Sequence, residues 1–347
     1  ARSAVRDMLG LGFEGVRFED KFLIADVRME ADLPTERRFW FDPSFHSGQS
    51  ALLHRQPDNV WRVDLQLGPD ADATEEQQPE RVKARLARAL GGRPFELEWV
   101  SLYQFNCRRL ERFVHGHIVF LGDSAHQVSP FGARGCNSGV QDAENLAWKL
   151  AAIITGEAGT QLLDSYDRER QQAADENIAH STRSTDFIAP HSSAERRLRN
   201  AVLDLAPHAE FARRMVNSGR LSTATVYDTP LSTPDETSFA GSAQLGAPAP
   251  DLPIARADGG QGHLLDGLGR GFELIYVDDG ARPRPVEGVT TIVVGEHLVD
   301  VAGLFADRFD ARPGSAYLLR PDQHLCARWR SYDPEKVKAA RARALGH

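Results

Sequence analysis

The sequence has 347 residues, too long for one average domain and suited to two or three, and its 41% hydrophobic and 26% charged residues are ordinary for a globular protein. A net charge of −8 argues against a nucleic-acid partner, which needs a basic face. No apolar stretch approaches the length of a membrane helix, and the opening residues lack a signal-peptide pattern.

The chain opens on Ala1-Arg2-Ser3-Ala4-Val5-Arg6, helix-like and without Met, which reads as a cut inside a larger protein. Residues 21–67 are strand-rich: 22–29 and 60–67 alternate apolar with polar residues, and Pro43, Ser47-Gly48 and Pro57-Asp58 supply turns. An antiparallel sheet with one covered face follows. Residues 79–90 predict a short helix stopped by Gly91-Gly92, and 95–105 rejoins the sheet. Residues 118–121 read as a buried strand ending at Gly122-Asp123. Residues 138–154 read as a helix capped by Ser138 with Gln141, burying Val140, Ala143, Ala147, Leu150, Ala151 and Ile154 along one stripe, with Trp148 also in the core. Residues 162–220 are mostly helical, and the basic run Arg196-Arg197-Leu198-Arg199 reads as a solvated helix face. Residues 228–253 are rich in Pro, Ser, Thr, Gly and Asp, the clearest linker. Beyond it, 272–277 and 290–294 predict strands, 315–320 with 324–329 a hairpin, and 333–345 a terminal helix, a separate small α/β domain.

Cys107, Cys136 and Cys326 lie far apart with no CxxC, and the twelve histidines include no HExxH. Neither a disulfide framework nor a metal centre is expected, and a reducing cytoplasm is the natural compartment.

The chemistry concentrates in Gly122-Asp123-Ser124-Ala125-His126, then Pro130-Phe131-Gly132-Ala133-Arg134-Gly135-Cys136-Asn137, then 142–150. A carboxylate at the end of a strand suits sugar-like hydroxyls, and ligands of open α/β sheets bind at such ends. Gly132 and Gly135 let backbone N–H groups approach a flat ligand, and the following helix presents its positive end to the loop. That combination fits a ring that gains negative charge, as a reduced flavin does. Ser124, His126 and Asp123 are too close in sequence to form a triad, and His126 reads as a structural hydrogen-bonding residue. Cys136 reads as a small space-filling residue.

These motifs, with Asp142 and Asn145-Leu146-Ala147-Trp148-Lys149-Leu150, resemble the second FAD fingerprint of the class A flavoprotein aromatic hydroxylases, in particular the branch acting on 3-(3-hydroxyphenyl)propionate and related phenols. The first six residues resemble the segment after that family's Asp-Gly motif, and the tail, with Tyr317 to Asp322 and Ala327-Arg328-Trp329, resembles its thioredoxin-like C-terminal domain. The resemblance implies an α/β fold: part of a Rossmann-like FAD-binding domain (1–20 and 107–190), an antiparallel substrate-binding sheet (21–106), a helical segment and linker (191–240) and a thioredoxin-like domain (241–347). It implies FAD as cofactor, NAD(P)H as transient co-substrate, O2, and a phenolic substrate hydroxylated in aromatic catabolism. It places Gly122, Asp123, Pro130, Gly132, Gly135, Cys136 and Asn137 at the cofactor: Asp123 on the ribitol, Pro130 along the ring, and the backbone at 135–137 on the pyrimidine edge.

His54, Gln56 and Tyr103 are the candidate substrate contacts, with Arg55, Trp61, Gln66 and Asn106 open alternatives, since alternation alone does not say which face is inward. The family's G-x-G-x-x-G turn, placed between a strand and a helix, is expected upstream of Ala1, and the cluster Gly267-Leu268-Gly269-Arg270-Gly271 reads as a loop. A homo-oligomer is expected. The rival readings are a flavin oxidoreductase of the same fold that does not hydroxylate, and a catalytically incomplete fragment serving as a binding or oligomerisation module.

Overall fold

The computed structural model describes residues 1–217, 223–257 and 259–347. Its first half contains α1 (Ala4–Met8), β1 (Glu14–Arg28), β2 (Arg37–Trp40), β3 (Ala51–Arg55), β4 (Val60–Leu67), α2 (Ala73–Glu76), α3 (Pro79–Ala89), β5 (Glu96–Arg109), β6 (Val114–His115), β7 (Ile118–Val119), β8 (His126–Gln127) and α4 (Arg134–Ile154). There follow α5 (Leu162–Ile188), α6 (Ser193–Leu205), α7 (Glu210–Asn217), β9 (Pro253–Arg256), β10 (Gln261–His263) and β11 (Phe272–Val277). The chain ends with β12 (Val289–Val294), β13 (Leu298–Val299), α8 (Leu304–Phe309), β14 (Ala316–Leu319), β15 (Leu325–Trp329) and α9 (Pro334–Ala344). Positions 218–220 of the expected helical stretch lie outside the described residues. By its contacts the chain forms two compact units, one of Ala1–Glu111, Asp123–Cys136 and the described part of Asn177–Ser222, the other of Arg112–Gly122, Asn137–Glu176 and the described part of Thr223–His347.

In the first unit the strands run in the order β2-β3-β4-β1-β5-β8, every pair antiparallel. Alternation divides the sheet into two faces. On one, Leu23, Ala25, Val27, Leu53, Trp61, Val63 and Leu65 pack against Val82 and Leu86 of α3. Each fully buried Val or Leu there contributes about 1.5–3 kcal/mol. The other face carries Phe22, Ile24 and Asp26 of β1, Arg62, Asp64 and Gln66 of β4, and Leu52 and His54 of β3. The turn from β3 to β4 holds Asp58 and Asn59 at φ +59° and +57°, with Val60 N–H donating to the Pro57 carbonyl at 3.2 Å. Two left-handed residues match the twist of a hairpin, and Asp and Asn tolerate them.

In the second unit a mixed sheet runs β10-β9-β13-β12-β11-β14-β15, with β11, β12 and β13 mutually parallel and β11-β14-β15 antiparallel. One face is covered by Val337 and Ala340 of α9, Trp148 and Ala152 of α4 and Leu162 of α5; the other by Phe305 and Phe309 of α8. The strands, hairpin and final helix expected after residue 270 are all present, and 267–271 is a turn leading into β11.

Three local expectations fail, and one further motif matches in letters only. Residues 118–121 do not form a buried strand: β7 is two residues long, pairs with β6 across a turn at Gly116 (φ +62°), and leaves Ile118 and Leu121 each 37% exposed. Residues 228–253 are not a free linker. Their backbone lies along the β15 hairpin through Thr233 N to Cys326 O (2.8 Å), Gly246 N to Leu325 O (2.8 Å) and Ala249 N to Gln323 O (2.9 Å), and Leu231, Ala243 and Leu252 are buried. Polar composition predicted coil correctly but not its docking, which rests on the few apolar residues within it. Arg199 is not solvated but buried, its guanidinium 5.9 Å from the Phe41 ring centre, because a long aliphatic stem packs well beside an aromatic. The segment Gly10-Leu11-Gly12-Phe13-Glu14-Gly15 matches the G-x-G-x-x-G pattern in letters. It follows α1 and runs into β1, the reverse of the strand–turn–helix order that pattern serves. Gly15 is required by packing instead: a Cβ there would meet the Cys107 carbonyl oxygen.

Candidate cofactor and substrate site

Gly122 begins the stretch at φ +56°, and its N–H donates to Asp142 Oδ2 at 2.7 Å. Gly139 of α4 lies so close that a Cβ on it would stand 3.6 Å from the Gly122 Cα. Asp142 is fully buried and accepts from Arg170 Nε at 2.5 Å; Arg170 also donates to the Tyr227 hydroxyl (2.6 Å) and Ser138 Oγ (3.0 Å). Asp142 and Ser138 therefore fix the turn at Gly122 from inside the fold.

Asp123 is exposed, 3.9 Å from the Ala1 amino group. Pro130 is exposed, whereas Phe131 turns inward against Phe22 and Phe105, ring centres 5.6 and 5.4 Å away. Ala133 N–H donates to the Pro130 carbonyl at 3.1 Å, closing a turn with Gly132 at φ +98° and Ala133 at φ +53°. A non-glycine residue in the left-handed region costs roughly 1–2 kcal/mol, and such strain tends to gather at functional sites. A Cβ on Gly135 would meet only Val128, at an ordinary 3.6 Å, so internal packing does not demand glycine there. Cys136 and Asn137 are exposed, and Arg134 is buried, donating from Nη1 to Asn177 Oδ1 at 3.0 Å.

Helix α4 starts at Arg134, four residues before the expected cap. The left-handed pair at 132–133 reverses the chain by itself, so the helix follows at once. Gly135, Cys136 and Asn137 occupy its first turn rather than a loop, and Ser138 lies inside it, accepting from Arg170 instead of capping. Cys136 does not fill space, being exposed.

The helix is also inverted relative to its apolar pattern. Val140 is 62% and Ile154 82% exposed, Ala143, Ala147 and Ala151 face outward, and Leu150 is only half-buried. The buried face carries Ser138, Asp142, Asn145 and Lys149, with Leu146, Trp148 and Ala152. Lys149 Nζ donates to Asn145 Oδ1 and Glu169 Oε2, both at 2.8 Å; Arg320 donates to Glu169 Oε1 (2.7 Å) and Asp322 Oδ2 (2.6 Å). Burial pushes the Lys149 ammonium down to about 8 against the pull of Glu169. Burial alone would raise the Glu169 carboxyl, but Arg320 and Lys149 hold it well below the carboxylate range. Sequence reasoning missed this network. Its signal was the polar set 138, 142, 145 and 149, which repeats at helical spacing as regularly as the apolar one.

The first unit also resolves the facing of the substrate candidates. His54 and Tyr103 lie on the sheet face opposite α3, Tyr103 across from Phe22 and half-exposed. Gln56, just past β3, directs its amide nitrogen at His54 Nε2. Trp61 points into the α3 core, and Gln66 is occupied by Ser50 and Asp20. Asp64, not singled out from sequence, shares the His54 face; burial pushes its carboxyl up to about 6, opposed by Arg62 and Arg37. Burial, then Arg37 and Arg62, lowers the His54 imidazole. Among the described residues no group of three or more His, Cys, Asp or Glu is placed to hold a metal, and no helix is long and apolar enough to cross a membrane.

Residues 1–181 match the family model described as FAD binding domain. The chain belongs to this FAD-binding-domain family. It is 32% identical over 203 residues (58% of this chain, 34% of the relative) to 3-(3-hydroxy-phenyl)propionate/3-hydroxycinnamic acid hydroxylase of Comamonas testosteroni. It is 31% identical over 367 aligned positions (94% of this chain, 62% of the relative) to 6-methylpretetramide 4-monooxygenase of Streptomyces rimosus. The chain thus spans less than two thirds of each. Among solved structures it resembles the flavin-dependent monooxygenase PieE in complex with FAD and substrate, with TM-score 0.79 and 22% identity, over 100% of this chain and 69% of that one. It also resembles aklavinone-11 hydroxylase in complex with FAD and aklavinone, with TM-score 0.77 and 22% identity, over 100% and 66%.

Proposed function

We propose that this chain is part of an FAD-dependent monooxygenase that hydroxylates a phenolic aromatic substrate with NAD(P)H and O2. The observation that carries the reading is the turn at 130–135: a strained left-handed pair, a glycine that internal packing does not require, and the start of a 21-residue helix. Such a cradle suits a flat, electron-accepting ring. FAD bound there would take electrons from NAD(P)H and supply the oxygen chemistry.

The chain's own residues would bind and orient. The Asp123 carboxylate is exposed and able to accept from ribityl hydroxyls. Pro130 would lie along the ring, Gly132 and Gly135 would admit it, and the backbone at Cys136 and Asn137 would offer the positive helix end to its pyrimidine edge. Gly122 would hold the turn through Asp142. His54, Gln56 and Tyr103 would contact the substrate on the sheet face that also receives Phe131.

The functional division we propose keeps 1–20 and 107–190 as part of the FAD domain, 21–106 as the substrate sheet, 191–240 as helix and linker, and 241–347 as a thioredoxin-like domain. The parallel β11-β12 pair beside the antiparallel β14-β15 hairpin and α9 supports the last assignment.

A visible absorption spectrum after mixing with FAD and removing free flavin tests the reading. Retained oxidised-flavin bands, and NAD(P)H oxidation stimulated by phenols, are expected. Without retained flavin this chain is an incomplete binding module and the reading fails for it.

A further inference from the structure

The sheet face opposite α3 carries a polar group that the proposed cofactor contacts leave unused. In register, His54 of β3 stands between Arg37 of β2 and Arg62 of β4, and Asp64 of β4 stands between Leu52 of β3 and Ile24 of β1. His54 and Asp64 are thus diagonal neighbours on one face, a spacing of about 7–8 Å between backbones that two side chains span with one small group between them.

Two atoms of this group are enclosed and have no hydrogen-bond partner: His54 Nδ1 and Asp64 Oδ1. Their chemical roles are fixed by their neighbours. The Gln56 amide nitrogen only donates, so His54 Nε2 accepts from it and the proton of the neutral ring sits on Nδ1. Burial and the two arginines keep that ring neutral. The result is one donor, His54 Nδ1–H, and one acceptor, Asp64 Oδ1, on diagonal positions of one sheet face.

The charge of the group defines what it admits. Arg62 is held by Asp26 through two bonds of 2.8 and 2.7 Å, and Asp64 lies in the field of Arg62 and Arg37, so two cations face two carboxylates around this face. Two cations against two carboxylates offer no net positive charge to an incoming carboxylate. A hydroxyl, in contrast, donates and accepts through one oxygen.

We propose that His54 and Asp64 form a clamp for a single hydroxyl of an uncharged hydroxyarene, the hydroxyl donating to Asp64 Oδ1 and accepting from His54 Nδ1–H. Both atoms are enclosed, so a hydroxyl would reach them only with rotation of the side chains around them. Leaving two desolvated groups unsatisfied is costly, and the ligand relieves that cost. Phe22, one alternate position along β1 from Ile24, places the aromatic cluster of Phe105 and Phe131 on the same face, where the arene body would lie. The proposal rests on the monooxygenase reading only in calling this ligand the substrate.

The test is a fluorescence titration of the full chain, with excess FAD, by 2-naphthol, 2-methoxynaphthalene and 2-naphthoate. Wild type should bind 2-naphthol at least about tenfold more tightly than its methyl ether, as a hydrogen bond to a charged group supplies, and more tightly than the carboxylate. Asp64→Leu and His54→Phe should bind naphthol and ether alike. The preference is a ratio within one sample, so reduced folded protein does not mimic its loss. Should Asp64→Leu fail to fold, Asp64→Asn decides, since it keeps volume and an oxygen and should show a preference reduced but not abolished.

No saturable naphthol binding, equal binding of naphthol and ether by wild type, tighter naphthoate binding, or an unchanged preference in the Asp64 variants overturns the clamp. Flavin retention is read separately. Lost flavin with intact naphthol preference removes the oxygenase reading and leaves the clamp, and retained flavin without preference does the reverse.

Discussion

Gly132 sits at φ +98°, a backbone angle that a Cβ resists, between an exposed Pro130 and the strained Ala133. Gly132→Ala should therefore destabilise the fold by roughly 1–2 kcal/mol in urea unfolding and release flavin in the absorption assay. An equal loss of stability with flavin retention unchanged would show that the turn is architectural only. Asp64 makes a prediction with a definite pH window. Burial pushes its folded carboxyl up to about 6 against an ordinary 3.8, opposed by Arg62 on β4 and Arg37 on β2 and reinforced by Asp26 on β1. The folded state thus binds this proton more tightly than the unfolded state. The associated stability is full below about pH 4 and disappears as pH rises through about 6, a loss of at most roughly 3 kcal/mol. The stability of wild type minus that of Asp64→Asn, measured by denaturant unfolding across this window, should fall with rising pH. A flat difference curve would place the carboxyl in solvent.

At the scale of the element, α4 decides how a helix pattern should be weighed. Its apolar stripe is exposed and its polar stripe buried, because Asp142, Asn145 and Lys149 find Arg170, Glu169, Arg320 and Asp322 inside the fold. Removing one partner of a buried pair leaves the other uncompensated, at about 3–5 kcal/mol. Glu169→Gln, which strands Lys149 and Arg320, should cost that much, whereas Ile154→Ser on the outward face should change stability by less than about 0.5 kcal/mol. The opposite order in chemical denaturation would mean that the apolar stripe is the buried one in solution. The position of the helix was legible from residues 138–154 because propensity and spacing are local. Its orientation was not, since two equally periodic stripes compete and the winner is chosen by partners 20 to 177 residues away. The same holds for β7: of the apolar residues 118–121 only Phe120 is buried, since β7 pairs with the two-residue β6 rather than joining a larger sheet.

For the molecule as a whole, strand alternation made the two sheets readable, and the motif from Gly122 to Leu150 made the family readable. The division into units was less so, because each unit is assembled from three separate segments and a linear reading can only cut. Exposure of the three cysteines tests this assembly in solution. Cys107 lies in the first sheet against Ser129 N at 3.3 Å, and burial raises its thiol; Cys326 lies in β15 of the second, its thiol pushed up to about 12 by burial. Cys136 is exposed in the first turn of α4. Buried, protonated thiols are inert toward a thiolate-selective reagent, so the native chain should release one fast equivalent with Ellman's reagent and the other two only in guanidinium. Cys136→Ser should abolish the fast equivalent. Fast reaction of Cys107 would mean that the β5-β8 edge opens, and fast reaction of Cys326 that the strap over β15 does. Added FAD should slow Cys136 if the backbone beside it meets the flavin. An unchanged rate in flavin-loaded protein would move the cofactor away from the start of α4.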